Sequence, residues 1–350
     1  MKALILCAGS GTRLRPFTHL LPKSLMPVGN RPLVTYLIDQ LIAANIREIG
    51  IVVPPRHEEF LDLSRVWFPE KAVFEWIVQH QPLGLAHAVL QAKFYLKGEP
   101  FLLLLGDNYT QLDVRQMMRK FRMHPDAEGL VALKRVRDPW NFGVAEVAGE
   151  RIQRLTEKPP KPASNLIAAG VYLLSPAIFQ VIERLEPSLR GELEITDALQ
   201  EMVQQGRPIY GWEYKGFWQD VGSATGLLKA NKFMLQRIRN RIDGTIQGCS
   251  VVGPVWVGEG ARIIRSKLQG PLIIGKDCLV DGAQLGPYLT VGDDCTIRRA
   301  HLRESLLMSG SCIQDWQKPV VRSILGRNSF IKGSASSGRM LLADDSSIWS

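Results

Sequence analysis

The chain opens on a short apolar run, Lys2 to Leu6, broken at once by the polar, glycine-rich turn Gly9-Ser10-Gly11-Thr12-Arg13. The run is shorter than the apolar segment of a signal peptide, so a buried first strand is the expectation. From Pro32 to Ala44, apolar residues recur at helical spacing (Leu33, Tyr36, Leu37, Leu41, Ile42), with Pro32 suited to the first turn of a helix. Glu48 to Val53 predicts the next strand, stopped by Pro54-Pro55. Another strand is expected at Val73 to Val78, a helix from about Gly84 to Leu96, and a strand at Phe101 to Leu105. That last run is apolar at every position, as in a central strand buried on both faces, and it ends at Gly106-Asp107-Asn108. Alternation of this kind predicts an α/β fold with a doubly wound, Rossmann-like mixed sheet. Ligands of such sheets bind beyond the carboxyl ends of the strands, where both Gly9-Ser10-Gly11 and Asp107 fall.

The last third has a different period. Five segments align at a spacing of 17 residues, beginning at Val257, Ile274, Val291, Met308 and Leu325. Each starts on an aliphatic residue and has a small one four places on; four of the five carry Gly second, the exception being Met308-Ser309. Steps of six occur within them, which is the mark of hexapeptide repeats wound into a left-handed parallel β-helix. The alignment places Cys278, Cys295 and Cys312 in one inward column with Ala261 and Ser329. These cysteines lack the close pairs of a zinc site, so core packing is the expectation. A helix is expected from Thr225 to Arg241, and two domains follow, residues 1–240 and 241–350.

Composition adds limits. With 350 residues, 45% hydrophobic and 22% charged, the chain is globular and long enough for two cores. Only the apolar-poor stretch Lys332 to Gly338 looks like a candidate for disorder. The net charge of +9 fits nucleic acid or a field that attracts small polyphosphates. The Lys and Arg are scattered rather than gathered in a basic run, which disfavours a nucleic-acid partner. No apolar stretch reaches the roughly 18 residues of a membrane span. Five cysteines, an odd number without a secretory signal, point to reduced thiols and a cytoplasmic location.

Three constellations carry candidate chemistry. The first is Gly9-Ser10-Gly11-Thr12-Arg13-Leu14-Arg15-Pro16 with Pro22-Lys23. A glycine turn after a strand lets backbone N–H groups approach phosphate oxygens, and nearby cations neutralise them. Alone, Gly-x-Gly signals no more than a tight turn. The second pairs Asp107 with Asp220, two carboxylates suited to magnesium and otherwise ordinary turn residues. The third is Gln79-His80-Gln81-Pro82-Leu83-Gly84-Leu85-Ala86-His87; a carboxamide at Gln79 offers a donor and an acceptor to a base edge. His87 falls on a helix face, where a structural role is the expectation, and Thr196 is a natural helix N-cap.

Together these motifs resemble the sugar-1-phosphate nucleotidyltransferases, whose N-terminal signature runs G-x-G-T-R-L-x-P-x-T…P-K. The family usually carries a further Gly where Ala8 stands. Gly84-Leu85-Ala86 and Arg190-Gly191-Glu192-Leu193-Glu194-Ile195-Thr196-Asp197 are similar to the glucose-1-phosphate thymidylyltransferase subgroup in its long form, with the β-helical tail. The resemblance spans nearly the whole chain. It implies transfer of a nucleotidyl group from dTTP to glucose 1-phosphate, with Arg13, Lys23 and Lys158 as the catalytic cations. It implies nucleotide binding by Leu6, Ala8, Gly9, Ser10, Gly11, Thr12, Gln79, Pro82 and Gly84, the last admitting the base close to the backbone. It assigns the sugar phosphate to Asn108, Gly143, Glu157, Lys158, Ala168 and Gly170, and Mg2+ to Asp107 and Asp220. Rival readings are the same reaction with UTP or another sugar 1-phosphate, a non-catalytic effector-binding paralogue, and a bifunctional enzyme with an acyltransferase in the β-helix and His301 as its histidine. The paralogue reading is disfavoured because Arg13, Lys23, Asp107 and Asp220 are all present. A homo-oligomer is expected, since the flat faces of a β-helix suit symmetric contacts.

Overall fold

The computed structural model describes residues 1–333 and 339–349; most of the stretch expected to be disordered, residues 334–338, lies outside the described residues. The chain forms two compact units, one of Met1–Ser10 and Leu33–Trp218, the other of Gly11–Pro32 and Gln219–Ser350.

The first unit is built on a sheet of nine strands. They are β1 (Lys2–Leu6), β2 (Glu48–Val53), β3 (Val73–Val78), β4 (Phe101–Leu105), β5 (Gly129–Arg135), β6 (Gly143–Ala148), β7 (Arg151–Glu157), β8 (Leu166–Leu174) and β9 (Ile209–Glu213). Their order across the sheet is β3-β2-β1-β4-β8-β5-β9-β7-β6. The first four run parallel and β8 joins antiparallel to β4, which makes the sheet mixed. The order 3-2-1-4 places the topological switch point between β1 and β4. Apart from Lys2, both strands are apolar because the sheet is covered on both faces; Leu4, Ile5, Phe101, Leu102, Leu103 and Leu104 are all 0% exposed. Each such side chain contributes about 1.5–3 kcal/mol by leaving water.

The helices are α1 (Leu33–Ala43), α2 (Leu85–Gln91), α3 (Lys93–Leu96), α4 (Val114–Arg122), α5 (Ala177–Ile182), α6 (Ile195–Gln204) and, in the second unit, α7 (Ala224–Leu235). α1 buries Leu33, Val34, Leu37, Ile38 and Leu41, the stripe its spacing predicts. The single helix expected over Gly84 to Leu96 is two, because Ala92 turns out of helical geometry at φ −88°, ψ 1°. α7 starts at an N-cap Ser223, whose Oγ accepts from Gly226 N–H, and stops at Leu235, short of the expected Arg241. Arg241–Ile242 is instead the first strand of the β-helix, and Asn240 Oδ1 accepts from Val255 N–H.

The β-helix has three faces. Two carry seven short parallel strands and one carries five. Inward columns stack from coil to coil: Ile263, Val280, Ile297, Ile313 and Ile331 are each 0% exposed. One corner column takes a left-handed backbone at Gly260, Asp277, Asp294, Gly310, Asn328 and Asp345. Gly, Asn and Asp are the residues that tolerate that conformation.

The constant period of 17 does not hold. Val291 pairs with Leu307 rather than Met308, and Leu307 pairs with Leu325. One coil is therefore a residue short and the next a residue long. The inward small-residue column is Ala261, Cys278, Cys295, Ser311 and Ser329, so Cys312 leaves it and pairs beside Thr296 and Phe330. The reason is the corner Arg303 to Ser305, one residue shorter than the corner before it, because Leu285 pairs with Leu302, 17 residues on, but Thr290 with Leu306, 16 on. The later segment Asp315 to Pro319 lengthens the next coil and buries Trp316 at 2% exposure. The buried Ser311 hydroxyl has its single proton within reach of two carbonyls, Met308 O at 2.6 Å and Gly326 O at 3.0 Å. All five cysteines are free thiols. Among the described residues no helix is long and apolar enough to cross a membrane.

Candidate active site

In the first unit the predicted residues gather at the carboxyl ends of β1, β3 and β4. Cys7 N–H donates to Val52 O at 2.8 Å and Gly106 N–H to Leu6 O at 2.9 Å, which ties the turns after β1 and β4 together. A side chain at Gly106 would meet Cys7 Sγ at 2.5 Å and Leu6 O at 2.8 Å, so only glycine allows this approach. At Gly9, in contrast, a side chain would meet nothing within 4 Å, leaving exposed backbone open to a ligand.

Gln79 follows β3, and its main-chain N–H donates to Val53 O. The carboxamide is buried at 6% exposure and donates to Gly84 O at 3.2 Å and to His87 Nδ1 at 2.8 Å. His87 lies on α2, half-buried, and burial lowers its pKa below the ordinary value. His80 and Pro82 are exposed. Gly84 has φ +105°, and the space a side chain would take is filled by the backbone of Leu193, whose O would lie 2.5 Å away. The chain itself therefore requires glycine here. The Leu193 carbonyl also accepts from Ala86 N–H and caps α2.

Asp107 and Asn108 follow β4. Asn108 is buried, and its Nδ2 donates to Ala169 O at 3.1 Å, as does Trp218 Nε1 at 2.9 Å. Ala168, Ala169 and Gly170 occupy a register shift of β8 against β5, and Gly170 takes φ +74° with Asn108 Nδ2 in the space of its missing side chain. A bulge of this kind re-aims backbone groups beside a site.

Around Glu157, at the end of β7, a second cluster forms. Its Oε2 accepts from Thr196 Oγ1 at 2.8 Å, and its Oε1 lies 3.2 Å from Lys158 Nζ and 3.5 Å from Arg190 Nη1. Gly143 pairs with Glu157 across β6 and β7, and a side chain there would meet Thr196 Oγ1 at 2.7 Å. Lys158 takes a left-handed backbone, φ 40°, and its N–H donates to Phe142 O. Arg190 also reaches Glu192 at 2.8 Å and Glu194 at 3.2 Å. Burial first, then repulsion from Glu157, pushes the Glu194 pKa up to about 7, and the same causes raise Asp197. Thr196 is therefore not the N-cap expected; Glu194 precedes α6, and the Thr196 hydroxyl serves Glu157. Arg190 and Thr196 as partners of Glu157 are contacts that spacing alone did not reveal.

In the second unit, Gly11 has φ +59°, and its carbonyl accepts from Thr18 Oγ1 at 2.8 Å and from Leu14 N–H at 2.9 Å. The segment continues as three short turns, Thr12–Leu14, Phe17–His19 and Lys23–Leu25. Lys23 Nζ lies 3.3 Å from Asp220 Oδ1 and Arg13 Nη2 lies 3.8 Å from Asp220 Oδ2. Gly222 leaves room for the Asp220 carboxylate. Two cations and one carboxylate, far apart in sequence, form a compact charged group. Arg13 is largely exposed, while Lys23 and Asp220 are mostly buried. In the β-helix, His301 is exposed on a strand face.

A doubly wound sheet, with a glycine-rich turn and an acidic turn at its switch point, has the architecture of a nucleotide-handling enzyme. The family model for nucleotidyl transferases matches residues 2–237, and the chain belongs to that family. It is 42% identical over 275 residues to a glucose-1-phosphate thymidylyltransferase of Streptomyces griseus, covering 77% of this chain and 76% of the relative. It is 38% identical over 267 residues to the bifunctional protein GlmU of Methanococcus maripaludis, covering 75% of this chain and 62% of that longer protein. Among solved structures, a Bacillus anthracis protein assigned as a glucose-1-phosphate thymidylyltransferase, in complex with sucrose, is 32% identical. It aligns with a TM-score of 0.62 over 67% of this chain and 94% of the other.

Proposed function

We propose that the protein transfers a thymidylyl group from dTTP to glucose 1-phosphate, giving dTDP-glucose and pyrophosphate. The observation that carries this reading is the glycine-rich turn and Asp107 at one switch point, in a chain 40–42% identical to two glucose-1-phosphate thymidylyltransferases of Streptomyces.

The phosphate oxygen of the sugar is already anionic, so the reaction needs neither a covalent intermediate nor a strong base. That oxygen bonds to the α-phosphorus as the bond from the α-phosphorus to the bridging oxygen breaks, and the electron pair leaves with pyrophosphate. Catalysis is then alignment and charge stabilisation. In this reading Leu6, Ala8, Gly9, Ser10, Gly11, Thr12, Gln79, Pro82 and Gly84 hold the nucleotide. Arg13 and Lys23 neutralise the triphosphate and the pyrophosphate that departs. Lys158 holds the sugar phosphate. Glu157, with Asn108, Gly143, Ala168 and Gly170, orients the sugar, its carboxylate accepting from ring hydroxyls. The carboxylates of Asp107 and Asp220 are hard oxygen donors of the type magnesium takes alongside substrate phosphates. When bound, that ion supplies positive charge to the phosphates. Residues 1–240 form the catalytic domain in this reading, and the β-helix of residues 241–350 serves self-assembly into a cytoplasmic homo-oligomer.

Asp107→Asn and Lys158→Ala should lose most turnover in a pyrophosphate-release assay while melting like the parent. Near-parental release from either purified variant refutes the assignment.

A further inference from the structure

The hydrogen bonds around Gln79 have a consequence for the nucleobase. Gly84 O accepts only, so the carboxamide atom 3.2 Å from it must be the NH2 group. The same nitrogen lies 2.8 Å from His87 Nδ1, which must then accept as well. His87 is therefore neutral, with its proton on Nε2. That Nε2–H lies 3.1 Å from Gln91 Nε2, so the exposed Gln91 carboxamide must turn its oxygen toward the ring to accept the proton. The two hydrogens of the Gln79 amide are both consumed inside the protein, one by Gly84 O and one by His87. Only Oε1 is left to face a ligand.

We propose that His87, in its Nε2–H tautomer, is a positioning residue that locks the Gln79 carboxamide with its oxygen outward and so selects a base presenting an N–H at that point. This rests on the reading above in which Gln79 faces the base. The imino N3–H of thymine or uracil meets the requirement, whereas cytosine presents a bare acceptor at the same ring position. If His87 instead carried its proton on Nδ1, the amide would have to turn. Its oxygen would then oppose Gly84 O, and an NH2 group would face the imino N–H. Without an acceptor at position 87, the amide is free to rotate, and the preference for an N–H donor weakens. His87 touches no reacting atom, so its effect belongs in nucleotide KM rather than in kcat.

The test measures kcat and KM for dTTP and dCTP, at saturating glucose 1-phosphate, for the parent protein and for Gln79→Ala, His87→Phe and His87→Gln. Thermal melts verify folding of each. His87→Phe should raise the dTTP KM about ten-fold, with kcat within about two-fold, and should narrow the dTTP-over-dCTP preference. His87→Gln, whose carboxamide oxygen can accept in place of Nδ1, should restore both within about two-fold. A raised KM in Gln79→Ala with an unchanged KM in His87→Phe overturns the role of His87 alone. An unchanged KM in Gln79→Ala overturns the base assignment itself. The 15N resonances of His87 supply a readout independent of turnover: the Nε2–H tautomer is expected at neutral pH, and an Nδ1–H tautomer or an imidazolium overturns the proposal.

Discussion

Replacing Glu194 by Gln removes a charge while keeping the side chain's shape. Glu194 is 3% exposed and stands one residue before α6, with Arg190 Nη1 3.2 Å from its Oε1. Burial and the neighbouring Glu157 raise its pKa from 4.5 to about 7, despite the opposing pull of Arg190. That rise corresponds to about 3 kcal/mol of preference for the protonated form in the folded state. The sign follows from proton binding. Between about pH 4.5 and 7 the folded protein holds a proton that the unfolded chain has released, so stability falls as pH rises and levels off above 7. Gln carries no such penalty. Glu194→Gln should therefore stabilise the protein by on the order of 2–3 kcal/mol at pH 8, and by less than about 1 kcal/mol at pH 5. In thermal melts this reads as a gain of about 5 °C at pH 8 and little change at pH 5. An equal shift at both pH values, or destabilisation at pH 8, refutes the argument that an ionised Glu194 is held there against burial.

Thr196→Val removes the 2.8 Å donor to Glu157 and leaves a carboxylate with one partner fewer. With sugar hydroxyls bound at Glu157, the KM for the sugar phosphate should rise about ten-fold with a smaller change in kcat; steady-state kinetics with varied sugar phosphate checks this. Gly106→Ala places a methyl group 2.5 Å from Cys7 Sγ and 2.8 Å from Leu6 O. It should destabilise the first unit by about 1–3 kcal/mol, measurable by denaturant unfolding, and lower turnover by shifting the turns after β1 and β4.

The sheet was legible because its central strands are buried on both faces and read as nearly unbroken apolar runs, as in Phe101–Leu105, while the edge strand Val73–Val78 was marked by its β-branched and aromatic residues; Glu48–Val53, Val73–Val78 and Phe101–Leu105 have the expected bounds. The β-helix was legible because each coil repeats one arrangement of aliphatic and small residues. Its register failed where that repetition fails: the corner at Arg303 to Ser305, one residue short, shifts Cys312 out of the column and brings Ser311 in, and the longer segment Asp315 to Pro319 then lengthens the next coil. Side chains alternate between the two faces of a strand, so a slip of one residue exchanges inside for outside. Phosphate-type residues were named through the resemblance of their motifs to the family's. The contacts that orient them were not, because they depend on tertiary placement. Glu157 meets Thr196 across 39 residues, and Lys23 meets Asp220 across 197. His87 had been read as structural from its helix face; its bond to Gln79 needed the strand β3 and the helix α2 brought side by side.

The most direct measurement is a pyrophosphate-release assay of dTTP, UTP, ATP and GTP against several sugar 1-phosphates, with magnesium present. The predicted result is the highest kcat/KM for dTTP with glucose 1-phosphate, and no release without the sugar acceptor. Release that ignores the acceptor, or a purine nucleotide as the preferred donor, would contradict the account.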